Sequence, residues 1–232
     1  MSRIALFGAK GFVGSELHKA LLQNGEDVLP VTRDNFDASL NSHDFDCVIN
    51  AAMPAGRFKA QNDPLWDFRE TVEKTAKILY QTRFKKFVQI SSVSARCQLD
   101  TIYGRHKLAA ESLVCGVPHL IVRLGPMFGP TLAKGVLMDM LKGNRVFVGG
   151  ASRYAFAPLS FVADWISRNL DRQGVVEVGA RNSMSLADLA RRLNLPVEFQ
   201  GREDHQEMQI IEPGYPDVEL VLEYMNKMKK EL

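Results

Sequence analysis

Three glycines near the N terminus lie between an apolar run and an amphipathic segment. Gly8, Gly11 and Gly14 form a G-x-x-G-x-x-G pattern directly after the run Arg3–Phe7, and apolar residues at helical spacing follow. This order predicts a strand, a tight turn and a helix. Glycines let a backbone approach a pyrophosphate closely, and the helix N terminus offers free N–H groups and the positive end of its dipole. The pattern therefore predicts a dinucleotide site on an α/β fold, although a glycine turn can also simply pack a helix on a strand. The residues predicted to hold the dinucleotide are Gly8, Lys10, Gly11, Phe12, Val13 and Gly14.

Strand and helix patterns alternate over the first half of the chain. Apolar runs with strand character are separated by segments of helical periodicity at 12–21, 64–83 and 103–115. Such alternation is typical of βαβ units, so we expect a Rossmann-type, doubly wound parallel sheet covered by helices on both faces. The predicted strands are Arg3–Phe7, Asp27–Thr32, Cys47–Ala52, Lys86–Ile90 and His119–Leu124.

After Leu124 the pattern becomes less regular. Glycine and proline punctuate residues 125–130, and shorter elements follow. We predict a Rossmann core at 1–124 and a small substrate-binding lobe at 125–232, packed on it as a single compact body. In the lobe, helices are expected at about 131–142, at 162–170, after the cap Ser185 and from about 217, with short strands at 146–148, 155–159 and 175–178.

Composition and charge restrict the class of partner. The net charge is +2, so no strong field favours nucleic acid or a membrane surface. Three cysteines without a C-x-x-C pair, and five scattered histidines, predict neither a disulfide framework nor a metal site. Neither a signal peptide nor an apolar run of the ~18 residues that a span requires is found, so a cytoplasmic protein is expected. The expected partner is a small molecule or a second copy of the chain.

The end of the second predicted strand bears on the choice of cofactor. An acidic residue there would hold the ribose 2′-hydroxyl of NAD, whereas a basic residue would accept the 2′-phosphate of NADP. The sequence reads Thr32-Arg33-Asp34. Arg33 suits a bidentate phosphate contact, so NADP(H) is favoured over NAD(H). Asp34 could serve NAD if the loop shifts, and Arg33 could instead be a solvated loop residue.

A second group of polar residues follows the fourth predicted strand. Ser91 and Ser92 end that strand, and Tyr103 precedes Lys107 by four residues near the start of the next helix. Residues at this spacing share a helix face, so both side chains can point to the carboxyl ends of the strands, where such sheets bind ligands. A nearby ammonium would lower the pKa of Tyr103 and suit it to acid–base catalysis. The alternative is an ordinary helix-surface pair.

Together these motifs resemble the short-chain dehydrogenase/reductase superfamily, and most closely its extended branch, the NAD(P)-dependent epimerases, dehydratases and ketoreductases. The similarity covers about residues 2–195. Its motifs are Gly8, Gly11 and Gly14; Asn50-Ala51-Ala52; Ile90-Ser91-Ser92; Tyr103, Lys107, Ala109, Ala110 and Glu111; residues 121–124; Phe128-Gly129-Pro130; and residues 161–166.

The resemblance implies roles for these residues. Tyr103 would exchange a proton with the substrate carbonyl or alcohol, and Lys107 would bind the nicotinamide ribose and tune Tyr103. Ser92 would orient the substrate, although the eleven-residue step to Tyr103 leaves Ser91 or Ser94 open for that role. The resemblance also implies that Ala51 and Ala52 contact the cofactor. Residues near the substrate are expected to include Ser91, Ser94, Met127 and Phe128.

The sequence is compatible with three functions. The first is an NADPH-dependent ketoreductase that transfers hydride to a 4-keto or similar nucleotide-linked sugar. The second is a nucleotide-sugar 4-epimerase that keeps NAD bound, and the third is a non-catalytic NADP-binding sensor on the same fold. Val93 and Ser94 stand where dehydratases of the branch carry an Asp-Glu pair, and this argues against dehydration. Trp66 and Phe68 fit either the core or a homodimer interface, since members of the superfamily often pair through such helices.

Overall fold

The protein is described by a computed structural model that covers residues 2–231. Strands and helices alternate through the first half, as the periodicity predicts. The strands are β1 Arg3–Phe7, β2 Asp27–Val31, β3 Asp44–Asn50, β4 Arg83–Ser92, β5 His119–Leu124, β6 Met127–Phe128, β7 Arg153–Tyr154, β8 Ala157–Pro158, β9 Gly174–Val178 and β10 Met184–Ser185. The helices are α1 Phe12–Gln23, α2 Phe36–Ser39, α3 Arg57–Asn62, α4 Pro64–Phe68, α5 Lys74–Gln81, α6 Ser94–Cys97, α7 Ile102–Val114, α8 Val136–Leu141, α9 Leu159–Arg168, α10 Leu186–Arg192 and α11 Leu220–Glu231.

The central sheet has six strands among the described residues, in the order β2-β1-β3-β4-β5-β9. β1 pairs in parallel with both β2 and β3, and β4 pairs in parallel with β3 and β5. The chain runs from β1 outward to β2 and then returns to the other side of β1 at β3. The carboxyl end of β1, where this reversal occurs, is the place where doubly wound sheets bind their ligands. The expected Rossmann-type parallel sheet is thus confirmed.

The sheet is stable because its strands are apolar on both faces. Ile4, Leu6, Val48 and Phe87 are fully buried, as central parallel strands require. Side chains from β1, β3, β4 and β5 pack with residues of α5 and α7 in one apolar cluster, which includes Ala5, Phe7, Phe45, Val48, Ile78, Leu79, Phe87, Val114 and Ile121. The burial holds the strand ends, and the loops that follow them, in fixed positions.

Several predicted elements differ from the structure. The single helix expected at 64–83 is α4, a π-helical turn at Arg69–Glu73 and α5. The strand expected at 146–148 is wrong: Val146 makes an isolated bridge to Phe199, and Phe147 is exposed. The helix predicted at about 131–142 begins only at Val136. The end of β5 at Leu124 and the cap of α10 by Ser185, whose hydroxyl accepts from the Asp188 N–H at 3.1 Å, are as predicted.

The chain divides into two compact units. One comprises the residues up to Leu124 together with Ala163–Val176, and the other comprises Gly125–Val162 together with the residues from Glu177 onward. In the second unit, β6 pairs in parallel with β8, and β7 pairs antiparallel with β10. The division into a cofactor core and a substrate lobe remains a prediction. None of the helices within residues 2–231 combines the length and apolar character needed to cross a membrane.

Candidate functional site

The glycine loop is a tight turn in which side chains would collide with backbone. Gly8 has φ +86°, and a Cβ added there would lie 2.6 Å from the carbonyl oxygen of Ala51. A Cβ added at Gly14 would lie 2.1 Å from the carbonyl oxygen of Gly8. Both positions therefore require glycine so that α1 and the end of β3 can approach the loop.

The N terminus of α1 begins directly after this loop. Gly11 precedes α1, and within the described residues neither a side-chain cap nor an acidic residue in the first turn occupies this end. The first N–H groups of α1, from Phe12 to Gly14, have no carbonyl partner within the helix and point toward the loop. Lys10 is exposed, and its Nζ lies 3.4 Å from Asp34 Oδ2. The loop fits a pyrophosphate, which would accept hydrogen bonds from these N–H groups and be stabilised by the positive end of the helix dipole.

The side chain of Asn50 fixes the loop that follows β3. This side chain is fully buried, and its amide donates to Thr75 Oγ1 at 3.0 Å and to Gln89 Oε1 at 3.1 Å. Its Oδ1 accepts from the N–H of Ala52 at 3.1 Å. Ala51 and Ala52, both predicted to contact the cofactor, are thereby held half-buried beside Gly8.

The turn after β2 directs Arg33 and Asp34 to different surroundings. Asp34 Oδ2 lies within 3.3 Å of the Thr32 hydroxyl and near Lys10. Arg33 instead lines a cavity of about 350 Å³ together with Lys59, Trp66, Glu70 and Lys74. Lys59 Nζ lies 3.4 Å from the centroid of the Trp66 ring, and Lys74 pairs with Glu70. Three cations and one carboxylate give this wall of the cavity a net positive charge.

Tyr103 and Lys107 share one face of α7, as their spacing predicts. Lys107 Nζ lies 5.1 Å from the centroid of the Tyr103 ring. Both side chains are buried, with exposed fractions of 7% for Tyr103 and 4% for Lys107. The helix is capped by Thr101, whose hydroxyl accepts from the N–H of Gly104 at 3.0 Å. The cap fixes the first turn of α7, which contains Tyr103.

The short connection between Ser92 and Tyr103 contains a compact turn. Residues Ser94–Cys97 form α6, and a Cβ on Gly104 would lie 2.1 Å from the carbonyl oxygen of Gln98. Glycine at this position lets α7 lie directly against α6 and the end of β4. Eleven residues are therefore enough to return Tyr103 to the side chain of Ser92.

Of the three candidate serines, the structure brings Ser92 to the tyrosine. A side-chain hydrogen bond joins Ser92 and Tyr103. The Ser92 hydroxyl also donates to Ser94 Oγ at 3.2 Å, so Ser94 lies one step further from the phenol. Ser91 faces elsewhere, because alternate residues of a strand point to opposite faces, and it donates to Glu111 Oε1 at 2.6 Å.

The pKa of Tyr103 differs from the value that its proximity to Lys107 predicts. Burial raises the pKa of Tyr103 to about 12, and the hydrogen bond with Ser92 opposes this only in part. Burial lowers the pKa of Lys107 to about 7, while Asp67 and Glu111 act in the opposite direction. The predicted lowering of the Tyr103 pKa is thus wrong, because loss of hydration outweighs the effect of neighbouring positive charge. At neutral pH the phenol is protonated and can donate a proton.

Two residues beside this pair were not predicted to have a role. Asp67 is fully buried, and its Oδ2 lies 2.8 Å from Nδ1 of His106. Phe68 makes a T-shaped contact with the imidazole, with ring centroids 5.6 Å apart. The sequence predicts only that His106 is exposed or packed, because no local pattern relates it to a carboxylate 39 residues earlier in the chain.

The predicted substrate residues Met127 and Phe128 belong to the second unit. Met127 is half-buried, whereas Phe128 is buried and stacks on Tyr224 with ring centroids 5.0 Å apart. The Tyr224 hydroxyl donates to the carbonyl oxygen of Gly129 at 3.1 Å. Phe128 therefore has a packing function within its own unit.

The glycine turn and the parallel sheet define an α/β protein of the Rossmann type. Residues 4–166 match the NAD dependent epimerase/dehydratase family. The chain belongs to this family. A comparison with curated proteins finds no match.

Solved structures with the same fold include epimerases and reductases. The UDP-glucuronic acid 4-epimerase from Bacillus cereus, in complex with UDP-glucuronic acid and NAD, is 18% identical, with a TM-score of 0.77 over 97% of this chain and 99% of that one. A dTDP-4-dehydrorhamnose reductase from Clostridium acetobutylicum is 16% identical, with a TM-score of 0.79 over 98% and 99%. RMD from Pseudomonas aeruginosa, complexed with NADPH, is 20% identical, with a TM-score of 0.73 over 100% and 99%. At these identities the similarity establishes the fold.

Proposed function

We propose that the protein is an NADPH-dependent ketoreductase that acts on a 4-keto or similar nucleotide-linked sugar. The observation that carries this proposal is the buried Tyr103, protonated at neutral pH, hydrogen-bonded to Ser92 and adjacent to Lys107. A phenol in this state is a proton donor, which is what net reduction of a carbonyl requires.

The chain's own residues account for the proton side of the reaction. Bound NADPH would supply a hydride to the carbonyl carbon. The Tyr103 hydroxyl donates its proton to the carbonyl oxygen, so that the C=O double bond becomes a C–O single bond with one new C–H and one new O–H bond. Ser92 donates a second hydrogen bond to the same oxygen and orients it. The Lys107 ammonium then stabilises the phenolate left on Tyr103.

The substrate class is inferred from the family and from the solved structures. Both the 4-epimerase and the 4-dehydrorhamnose reductase are named for nucleotide-linked sugars and for position 4 of the sugar. We assign substrate binding to the second unit, with Met127 as a contact residue. Pro126 stands where many nucleotide-sugar enzymes of this branch carry an asparagine near the substrate, and this departure counts against the nucleotide-linked part of the assignment.

A panel of carbonyl compounds tests the proposal directly. Nucleotide-linked 4-keto sugars are mixed with the purified protein, and NADPH and NADH oxidation are followed separately at 340 nm. Faster oxidation of NADPH in the presence of one of these sugars is the expected result. Protein that purifies with one bound nicotinamide per chain and interconverts C4 epimers without net oxidation would be an epimerase instead. Absence of any turnover together with tight NADPH binding would favour a sensor.

Arg33 is expected to discriminate between the two cofactors. It lines the positive cavity, whereas Asp34 interacts with Thr32 and Lys10. We expect Arg33→Ala to raise the Kd for NADPH by about 10- to 100-fold, the loss of a charge-assisted hydrogen bond, and to change the Kd for NADH by less than about threefold. Fluorescence titration with each nucleotide measures both values.

Arg105→Ala is a suitable control, because Arg105 is also an exposed arginine of this unit but contacts the carbonyl oxygen of Leu99. It should leave both dissociation constants unchanged. Equal weakening of NADPH and NADH by Arg33→Ala would contradict the assignment of the 2′-phosphate to this residue.

A further inference from the structure

Asp67 has one carboxylate oxygen that the fold leaves without a partner. The residue lies on α4, which packs beside α7 and is followed at once by the π-helical turn Arg69–Glu73. Its side chain is fully buried, and Oδ2 is engaged by His106, but Oδ1 has no hydrogen-bond partner among the described residues. Unpartnered buried oxygens are rare in native proteins, and π-helical turns are frequent at functional sites. The oxygen therefore requires an explanation.

Two buried carboxylates act on Lys107, namely Asp67 and Glu111. Glu111 is already fully engaged: the Arg123 guanidinium binds it in a bidentate manner, with Nη2 to Oε2 at 2.6 Å and Nε to Oε1 at 3.0 Å. Ser91 donates to the same Oε1 at 2.6 Å. The charge of Glu111 is therefore balanced within its own network. Of the two carboxylates, Asp67 is the one with an oxygen, Oδ1, that can still accept a hydrogen bond.

His106 is suited to hold Asp67 in place. It directly precedes Lys107 on α7, so the two side chains leave the helix in different directions. Its ring is 19% exposed and contacts the edge of Phe68, while Nδ1 faces the carboxylate. The imidazole thus fixes one oxygen of Asp67 and leaves the other free.

We propose that Asp67 is the positioning residue for Lys107: His106 orients its carboxylate through Oδ2, and the unpartnered Oδ1 is the buried counter-charge and available acceptor for the ammonium. The inference rests on the proposed function, in which a charged Lys107 stabilises the phenolate of Tyr103. Burial lowers the pKa of this amine to about 7, and Asp67 opposes that shift, so the pairing keeps a larger fraction of Lys107 charged near neutral pH. The charged and titratable groups around Tyr103 and Lys107 are Arg57, Asp67, His106, Glu111 and Arg123.

The test measures the titration of Lys107 itself, without substrate or cofactor. The protein is labelled with [13Cε]lysine, the Lys107 resonance is assigned by its absence in Lys107→Ala, and its midpoint is followed by NMR as the pH is varied. We expect Asp67→Asn to lower this midpoint by about one pH unit or more, because the ammonium loses its counter-charge. Asp67→Glu, which keeps the charge, should restore most of the difference.

Asp63→Asn provides the matched control. The substitution makes the same chemical change at the residue that caps α4. Asp63 Oδ1 accepts a hydrogen bond from the Trp66 N–H at 3.0 Å, and Asp63 lies on the surface. This variant should leave the Lys107 midpoint unchanged. If Asp67→Asn does not fold by circular dichroism, the double variant Asp67→Asn/His106→Gln supplies an amide pair in place of the carboxylate and imidazole. It should give the same downward shift.

An unchanged midpoint in a folded variant that lacks the Asp67 charge would overturn the inference. The pH profile of kcat/KM for carbonyl reduction is recorded in parallel, and its alkaline limb should move to lower pH in Asp67→Asn by the same amount. A shifted NMR midpoint without any carbonyl turnover would refute the proposed function and leave the pairing intact. Carbonyl turnover with an unshifted midpoint would support the proposed function and refute the pairing of Asp67 with Lys107.

Discussion

Replacement of Tyr103 by phenylalanine is expected to lower kcat/KM for carbonyl reduction by about 10³-fold, within the range of general acid catalysis. The substitution removes the hydroxyl that is hydrogen-bonded to Ser92 and adjacent to Lys107, while keeping the buried ring. Because the proposed contact of the phenol is with the substrate oxygen and not with the dinucleotide phosphates, the Kd for NADPH should change by less than about threefold. Steady-state oxidation of NADPH at 340 nm, with the sugar identified by the substrate panel, gives the rate constants.

Tyr80→Phe is the control for this experiment. Tyr80 lies on α5 of the same unit with 72% of its surface exposed, so loss of its hydroxyl should not change the rate. Thermal unfolding of both variants should match the wild type within a few degrees. A Tyr103→Phe protein that retains more than a tenth of the wild-type kcat/KM would show that another group donates the proton.

The raised pKa of Tyr103 has a consequence for the direction of the reaction. With a pKa of about 12, the phenol donates a proton readily at pH 7 but accepts one poorly. Oxidation of an alcohol by NADP needs the phenolate, so it should become faster as the pH rises toward this pKa. Reduction should remain fast at neutral pH, where Tyr103 is protonated and Lys107 still carries part of its charge.

Features that depend on local sequence could be predicted. The strand, glycine turn and helix at the N terminus are set by neighbouring residues, and so is the placement of Tyr103 and Lys107 on one face of α7. Strand β5, a compact apolar run between turn residues, was predicted with both ends correct. In each case the evidence lies within about a dozen residues of the chain.

Features that depend on how elements pack could not be predicted in the same way. The pairing of Asp67 with His106 joins two helices, and it depends on their rotation and on the π-helical turn after α4. The pKa of Tyr103 was predicted in the wrong direction for a related reason. Spacing shows that an ammonium is near, but the burial of Tyr103 depends on how α7 packs against other elements, which the spacing does not show.

Gly14→Ala is expected to disrupt the cradle that the whole proposal requires. An added Cβ would lie 2.1 Å from the carbonyl oxygen and 2.8 Å from the carbonyl carbon of Gly8, and both are backbone atoms that cannot rotate away. Either α1 or the loop must shift, at a cost of about 3 kcal/mol in the free energy of unfolding, or a decrease of ~10 °C in Tm.

Because the pyrophosphate is common to both cofactors, Gly14→Ala should weaken NADPH and NADH alike, by about 100-fold or more, in contrast to Arg33→Ala. Gly116→Ala is the control: Gly116 lies after α7, and nothing within 4 Å would meet its Cβ. That variant should bind both nucleotides normally and be as stable as the wild type or slightly more stable, since alanine restricts the unfolded chain. Calorimetric unfolding measures the change in stability, and nucleotide titration measures the two dissociation constants. A Gly14→Ala protein that binds both nucleotides with wild-type affinity would mean that the glycine loop only packs α1 on β1, and that the dinucleotide is held elsewhere.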